Sequence, residues 1–260
     1  MAKAPALFVG HGSPFTALSQ NRFTAAWTAI GRRIPRPEAV LCVSAHWETP
    51  RLTVTADERP PTVHDFYGFP KQFYELRYPA PGSPALAAEI AGRLAAWDAT
   101  AEAGVWGMDH GCWTVLPWIL GVADVPVMQL SLNIERPPAE HYAIGQALAG
   151  LREEGVMILG SGDIVHNLRF FERQDDAPTP PWAAAFDAAA VERIKARDHA
   201  ALIDWPSLPD AALAVPRPEH YLPLLYILAA QGEDEEAEVF VEAVVSSVSM
   251  TSVAIGLDAP

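Results

Sequence analysis

Apolar runs rich in valine, isoleucine and leucine recur along the chain, and most of them end in glycine or serine. Runs of this kind, continuous rather than alternating, are typical of strands that are buried on both faces of a parallel sheet. They predict four strands, at residues 5–9, 39–43, 125–132 and 156–159. Residues 52–56 alternate in the manner of a half-exposed strand, and residues 243–248 predict a last strand.

Helical patterns lie between these runs. They predict helices over residues 22–33, 84–97, 138–151, 182–203 and 221–230. Strands that alternate with helices indicate an α/β fold, a three-layer α/β/α domain around a largely parallel or mixed central sheet. The 260 residues suffice for one such domain, and the whole chain, 1–260, is predicted to be a single domain.

The charge of the chain excludes several classes of partner. It carries 18 basic and 32 acidic residues, a formal net charge of −14. Nucleic acids and anionic membrane surfaces select basic patches, so neither is expected as a partner. No apolar run approaches the ~20 residues of a membrane span, and residues 1–9 are too short for a signal peptide. With only two cysteines, we expect reduced thiols and a cytoplasmic protein.

Histidines follow the predicted strands in a repeated way. His11, His46 and His166 come after the first, second and fourth strands, and His220 precedes an apolar helix. A single histidine in such a place is usually an ordinary loop residue, but ligands of open α/β sheets bind at the carboxyl ends of the strands. Four imidazoles gathered there suit a divalent transition metal.

Other kinds of functional site have less support in the sequence. The chain has no Gly-x-Ser-x-Gly nucleophile elbow, no dinucleotide fingerprint and no P-loop lysine. Cys112 follows His110, but its apolar neighbours favour a structural role at a helix start. The long irregular stretch 58–83, which contains His64, is predicted to be a functional loop.

Six blocks of residues carry a family resemblance, in family order and over residues 6–252. The blocks are Phe8-Val9-Gly10-His11-Gly12-Ser13-Pro14, Ser44-Ala45-His46-Trp47, His64-Asp65-Phe66-Tyr67-Gly68-Phe69-Pro70, Asp109-His110-Gly111, Val165-His166-Asn167-Leu168-Arg169 and Pro218-Glu219-His220-Tyr221-Leu222-Pro223-Leu224. Together they resemble the DOPA-type extradiol dioxygenases. That family belongs to the class III extradiol ring-cleavage superfamily, to which the catalytic subunit of protocatechuate 4,5-dioxygenase is related.

The resemblance implies a non-haem Fe(II) enzyme, with Zn(II) as an alternative metal, that inserts O2 into a catechol and yields a muconic semialdehyde. It implies His11, His46 and His220 as metal ligands. His166 would be either a fourth metal neighbour or the acid/base. His110 would line the pocket and assist proton transfer.

Four further residues are candidates for binding the substrate. Arg169 and Arg217 could pair with a carboxylate on the catechol, Tyr221 adjoins His220, and His64 could close over the substrate or simply hold its loop. Two positions depart from the pattern expected of the family, Asp163 in place of asparagine and Arg217 in place of threonine. Both departures bear on which catechol is bound.

Three alternatives stay open at this point. The first block also resembles tetrapyrrole metal chelatases, zinc with the same ligands could serve a hydrolase, and the superfamily fold also occurs in non-catalytic binding modules. The sequence leaves open the physiological catechol, the ring bond that is cleaved, and whether the chain forms a homo-oligomer.

Overall fold

The structure is a computed structural model that describes residues 3–172 and 177–257. Its central element is a sheet of eight strands, and a separate two-stranded hairpin lies near the end of the chain. The strands are β1 (Ala6–Gly10), β2 (Ala39–Glu48), β3 (Thr53–Thr55), β4 (Thr100–Glu102), β5 (Val127–Leu132), β6 (Val156–Gly162), β7 (Ala237–Val241), β8 (Val244–Val245), β9 (Val248–Ser249) and β10 (Ser252–Ile255).

The order of strands across the large sheet is β4-β3-β5-β2-β6-β1-β10-β7. The four central strands, β5, β2, β6 and β1, run parallel to one another. Antiparallel pairing occurs toward the edges, where β3 meets β5 and where β10 lies between β1 and β7. The sheet is therefore mixed with a parallel centre, as the sequence predicts.

Helices cover both faces of the sheet. They are α1 (Arg22–Gly31), α2 (Pro84–Arg93), α3 (His110–Trp113), α4 (Leu116–Ile119), α5 (Pro138–Leu148), α6 (Pro181–Lys195), α7 (His199–Ile203), α8 (Ala211–Ala214) and α9 (Leu222–Ala229). No helix in the described stretches combines the length and the hydrophobicity that a membrane span requires.

The central strands separate two apolar cores. In β1 the alternate residues Leu7 and Val9 join one core, which contains α1, α3 and α4. Ala6 and Phe8 join the other, which contains α2, α5, α6 and α9. Because successive side chains of a strand point to opposite faces, a strand buried on both faces has to be apolar throughout. This requirement explains the continuous apolar runs and the three-layer α/β/α arrangement.

Two local predictions are wrong. Residues 243–248 do not form the last strand of the sheet, because Ser246 turns the chain with a φ of 53° and creates the β8–β9 hairpin. The last strand of the sheet is β10 instead. The predicted helix over 182–203 is broken into α6 and α7, because Arg197 adopts a left-handed φ of 57° between them.

A buried ion pair ties the chain together at the end of the sheet where β1 begins. The Arg152 side chain is fully buried, and Nη1 and Nη2 donate to the two carboxylate oxygens of Glu235 at 2.6 and 2.8 Å. It also donates to the carbonyls of Ala4 and Ala230. Arg152 thereby lowers the pKa of Glu235 to about 2, although partial burial acts in the opposite direction.

Replacing Arg152 by methionine should remove the buried partner of Glu235 and the donor to the carbonyls of Ala4 and Ala230. We expect Arg152→Met to lower the free energy of unfolding by about 3 kcal/mol in urea denaturation. Because the pKa of Glu235 is depressed in the fold from 4.5 to about 2, the part due to the pair is complete above pH 4.5 and is lost as the pH falls toward 2.

The matched control is Arg33→Met, since Arg33 pairs with Glu238 at the surface. That variant should change the free energy of unfolding by less than about 1 kcal/mol. Equal effects of the two substitutions would contradict the role given to burial.

Candidate functional site

Three central strands bring their carboxyl ends to one place. β6 lies between β1 and β2 and is parallel to both. His11 follows the last residue of β1, His46 lies near the end of β2, and the chain leaving β6 carries Asp163 and His166. The strand order therefore gathers the side chains that the sequence predicted to meet.

His220 reaches the same place from the segment that precedes α9. Its backbone carbonyl accepts a hydrogen bond from the Asp163 N–H at 2.9 Å. This approach requires glycine at the end of β6, because a Cβ on Gly162 would lie 2.1 Å from the His220 carbonyl oxygen. Gly162 thus sets the distance between β6 and the fourth histidine.

The side chains of His11, His46 and His220 converge on a common point. One ring nitrogen from each lies within 4.8 Å of the other two. The Nε2 atoms of His11 and His46 are 2.9 Å apart. Nitrogens bound to one ion at about 2.1 Å lie roughly 3 to 4 Å from each other, so these donors can share a metal.

A hydroxyl determines which nitrogen of His11 faces this point. The Ser161 Oγ donates its one proton to the carbonyl of Gly111 at 2.5 Å. It must therefore accept from Nδ1 of His11, which lies 3.0 Å away. His11 is the Nδ1–H tautomer, and its Nε2 lone pair is directed toward His46.

Carboxylates lie beside Nδ1 of the other two imidazoles. Glu219 Oε1 accepts a hydrogen bond from Nδ1 of His220 at 3.4 Å, so that this nitrogen carries the proton. Asp65 Oδ2 lies 3.2 Å from Nδ1 of His46, and its charge favours the same tautomer of that ring. All three rings therefore present an Nε2 lone pair, and histidine ligands of metals are typically held in this way.

Burial keeps these three rings neutral. It lowers the pKa of His11, His46 and His220 well below the usual value, and the neighbouring imidazoles lower the pKa of each further. Neutral imidazole is the form that binds a metal. Three neutral imidazoles that converge on one point form a donor set that fits a divalent transition metal.

The ring of His110 lies next to the convergence point. Its ring centroid is 3.8 Å from that of His46. Asp65 holds it twice, because Oδ1 accepts the backbone N–H of His110 at 2.9 Å and Oδ2 accepts from Nδ1 at 2.7 Å. His110 and His46 together outweigh burial and lower the pKa of Asp65 to about 2. Asp65 occupies Nδ1 of His110 and leaves its Nε2 free of this contact.

The start of α3 is fixed by a buried carboxylate next to His110. Asp109 accepts hydrogen bonds from Ser44 of β2, Gln129 of β5 and the indole of Trp106, at 2.7, 2.7 and 3.1 Å. Burial is the main cause that raises the pKa of this carboxyl. The network holds α3 against two strands of the sheet and so positions His110.

His166 lies on the other side of the cluster. Its ring stacks on that of His220 with centroids 3.5 Å apart and planes 9° apart. Its backbone N–H donates to Ala214 at 2.9 Å. Burial lowers the pKa of His166 to about 4, with a smaller contribution from His110.

A buried carboxyl group lies beside two of the imidazoles, those of His11 and His220. Asp163 is fully buried, and burial raises the pKa of its carboxyl well above the usual range. Its Oδ1 accepts the N–H of Gly12 at 3.1 Å. Gly12 has a φ of 62°, a backbone conformation that glycine adopts without strain.

The candidate substrate-binding residues occupy different surroundings. Tyr221 does not line the site: it is buried against Trp205 and Phe186, and its hydroxyl donates to the Leu202 carbonyl at 3.0 Å. The prediction for Tyr221 is therefore wrong, because its side chain leaves the backbone on the side of α6 and α7.

The other three candidates are polar residues whose hydrogen bonds and ion pairs are with residues other than the three converging histidines. His64 hydrogen-bonds through Nε2 to the Leu76 carbonyl at 3.1 Å and so holds its own loop. Arg217 is exposed and its charge is offset by Glu48 and Glu219. Arg169 is exposed in the turn that follows His166.

Sequence reasoning missed the residues that orient the imidazoles. Asp65 adjoins His64 in a motif that the sequence analysis quotes, yet only its neighbour was assigned a role. Glu219 was read only as part of its motif, and Ser161 was assigned no role. The sequence does show that Glu219 comes directly before His220 and that Asp65 lies in the long loop. Spacing along the chain does not indicate which imidazole either carboxylate contacts.

Comparisons with known proteins agree with this arrangement. The profile of the family described as the catalytic LigB subunit of aromatic ring-opening dioxygenase matches residues 5–257. A protein of Escherichia coli K12 named 4,5-DOPA dioxygenase extradiol is 44% identical, with 98% of this chain and 95% of the relative covered. A protein of the same name from Beta vulgaris is 36% identical, covering 89% of this chain and 88% of the relative.

Two further similarities have other names. A dioxygenase named tasH from Hapsidospora irregularis is 31% identical, with 91% of this chain and 81% of the relative covered. The crystal structure of uncharacterized protein JW3007 from Escherichia coli K12 superimposes with a TM-score of 0.86 at 40% identity, covering 97% of this chain and 100% of that chain. The match to the family profile and to these relatives spans nearly the whole chain, which therefore belongs to the LigB family of aromatic ring-opening dioxygenases and is an extradiol dioxygenase.

Proposed function

We propose that this enzyme uses Fe(II) to open the ring of a DOPA-like catechol with O2, giving a muconic semialdehyde. The observation that carries the proposal is the convergence of three Nε2 lone pairs, from His11, His46 and His220, on one buried point. Relatives named 4,5-DOPA dioxygenase extradiol support the choice of substrate class.

The donor set favours a transition metal over Mg²⁺ or Ca²⁺. Imidazole nitrogens suit iron and zinc, whereas magnesium and calcium take oxygen ligands. A ferrous ion held by these histidines would supply the redox chemistry and the open positions that a catechol and O2 require. The three neutral rings bring no negative charge of their own, which suits the binding of an ionised catechol.

Two histidines outside this set are proposed to move protons. His166 is neutral, and in our account it accepts a phenolic proton as the catechol binds and returns it when the oxygen–oxygen bond breaks. His110 assists with its Nε2, because Asp65 occupies its Nδ1. The two rings lie on different sides of the cluster, next to His220 and His46 respectively, so they could serve the two ends of one substrate.

Of the two candidate arginines, Arg169 is the better partner for a carboxylate on the catechol. Arg217 already pairs with Glu48 and Glu219, whereas Arg169 makes no ion pair with a residue in the described ranges. Electrostatic attraction from Arg169 would offset locally the net charge of −14, which repels an anionic substrate at long range.

Anaerobic loading with Fe(II) followed by oxygen uptake tests the proposed activity. We expect uptake and a yellow semialdehyde with DOPA, and loss of both in His11→Ala and His220→Ala because each removes a ligand. Comparison of DOPA with a catechol that lacks a carboxylate tests Arg169: Arg169→Ala should raise the KM for DOPA alone.

The alternatives make different predictions in the same assay. Uptake that persists in both histidine variants would contradict the proposed metal site. If the protein binds metal but consumes no oxygen with any catechol, the result would favour zinc-dependent hydrolysis or metal chelation instead.

The two hydrogen bonds that Asp65 accepts from His110 predict a strong effect of a small substitution. Asp65→Asn keeps the size of the side chain but removes the charge that accepts from Nδ1 of His110 and lies 3.2 Å from Nδ1 of His46. We expect kcat to fall by about 10- to 100-fold, as for other partners of histidine ligands. Asp57→Asn, which alters a partly exposed carboxylate bonded to Gly104, is the matched control and should retain activity.

A double-mutant cycle separates orientation from general structural damage. In a chain that already carries His110→Gln, Asp65→Asn should cost much less than it does alone, because the two residues act as a unit. The remaining loss should be accompanied by weaker metal binding through His46. Full additivity of the two substitutions, with metal content unchanged, would show that Asp65 does not act through either ring.

A further inference from the structure

One carboxylate oxygen beside the imidazoles of His11 and His220 has no hydrogen-bond partner among the described residues. Asp163 Oδ1 accepts the Gly12 N–H at 3.1 Å. Its other oxygen, Oδ2, is fully buried and makes no hydrogen bond. Polar atoms inside proteins are almost always satisfied, and a buried carboxylate oxygen is among the most costly to leave alone. An unpartnered oxygen in this place therefore indicates something that binds there.

The position of Oδ2 identifies the kind of partner. It lies 3.9 Å from Nε2 of His11 and 3.7 Å from Nε2 of His220. Both nitrogens are acceptors, since a serine and a glutamate hold the protons on the opposite sides of the rings. A cation between them would satisfy all three atoms at once.

The distances from Asp163 to His11 and to His220 agree with one shared ion. Donor atoms bound at about 2.0–2.2 Å to the same metal lie roughly 3 to 4 Å apart. The separations of 2.9 Å between His11 and His46, 3.9 Å between His11 and Asp163, and 3.7 Å between Asp163 and His220 match that range. The same carboxylate also lies within 4.8 Å of a ring nitrogen of His166.

We infer that Asp163 is a fourth metal-binding residue, which contributes Oδ2 to the ion held by His11, His46 and His220. The inference rests on the proposed metal centre and adds a ligand of different chemistry to it. A carboxylate oxygen offsets one of the two positive charges of a divalent ion, which three imidazoles cannot do. It also explains how a carboxylate can be buried beneath a cluster of neutral rings.

The turn that follows β1 positions the carboxyl group of Asp163. The Gly12 N–H occupies Oδ1, and the Asp163 N–H is itself fixed by the His220 carbonyl. The side chain of Asp163 is therefore bonded to the loop after β1, and its backbone is bonded to the segment before α9. Oδ2 points into the cluster without needing the ion to place it.

Binding of Co(II) alone tests the inference without any catalytic turnover. Co(II) takes the same donors as Fe(II) and reports its ligands in the visible spectrum. We expect Asp163→Asn to raise the Co(II) dissociation constant, measured by competition with a chelator, by about 10- to 100-fold. The visible bands should shift as well, because a charged oxygen ligand has become a neutral one.

The matched control is Asp187→Asn. Asp187 is also a buried acid, but its carboxylate is satisfied by the hydroxyls of Ser249 and Thr251 at 2.6 and 2.8 Å. This variant should bind Co(II) as the unaltered protein does. Circular dichroism of both variants shows whether the fold is retained.

The outcomes are distinguishable from failure of the proposed function. An unaltered protein that binds no Co(II) would remove the metal centre itself. Binding by the unaltered protein, with the same dissociation constant and spectrum in Asp163→Asn, would overturn only the role of Asp163. If that variant does not fold, a crystal structure of the Co(II)-loaded unaltered protein decides. A distance of about 2.0–2.2 Å from Oδ2 to the metal supports the inference, and one beyond roughly 3 Å overturns it.

Discussion

A polar acceptor beside Nδ1 orients each of the converging imidazoles, and the chemistry of the site depends on it. An imidazole has one lone pair in its neutral form, so the partner of one nitrogen decides where the other can bind. Ser161 and Glu219 accept from Nδ1 of His11 and His220, and the carboxylate of Asp65 lies 3.2 Å from Nδ1 of His46. Each acceptor turns an Nε2 lone pair toward the same point. Without these acceptors the rings would titrate or rotate, and their proximity alone would not make a ligand set.

The fold supplies this arrangement from distant parts of the chain. β6 lies between β1 and β2, so that His11, His46 and Asp163 meet although more than a hundred residues separate the first from the last. The long loop over residues 58–83 contributes Asp65, and it is tied to the sheet side by backbone hydrogen bonds such as that of Val63 to Met108 at 2.7 Å. Burial of the cluster then keeps the rings neutral. Burial and orientation together make the donors available to a cation.

The sequence predicted the parallel centre of the sheet and the meeting of the strand-end histidines, because continuous apolar runs and strand ends are local features. It did not predict the hairpin at Val244–Ser249, because a left-handed serine such as Ser246 has no strong local signal. Tyr221 was misplaced because adjacency to His220 says nothing about which side of the backbone a ring leaves. The role of Asp65 depends on a tertiary contact with His110, 45 residues away, which spacing cannot reveal.

Histidine nitrogen chemical shifts test the orientation of the three rings most directly. Protein labelled with ¹⁵N-histidine, loaded with Zn(II), would give long-range proton–nitrogen correlations for each imidazole, assigned through single histidine variants. The account predicts that His11, His46 and His220 are Nδ1–H tautomers whose Nε2 resonances move when Zn(II) binds. Binding through Nδ1, or Nε2 resonances that do not respond to the metal, would contradict it.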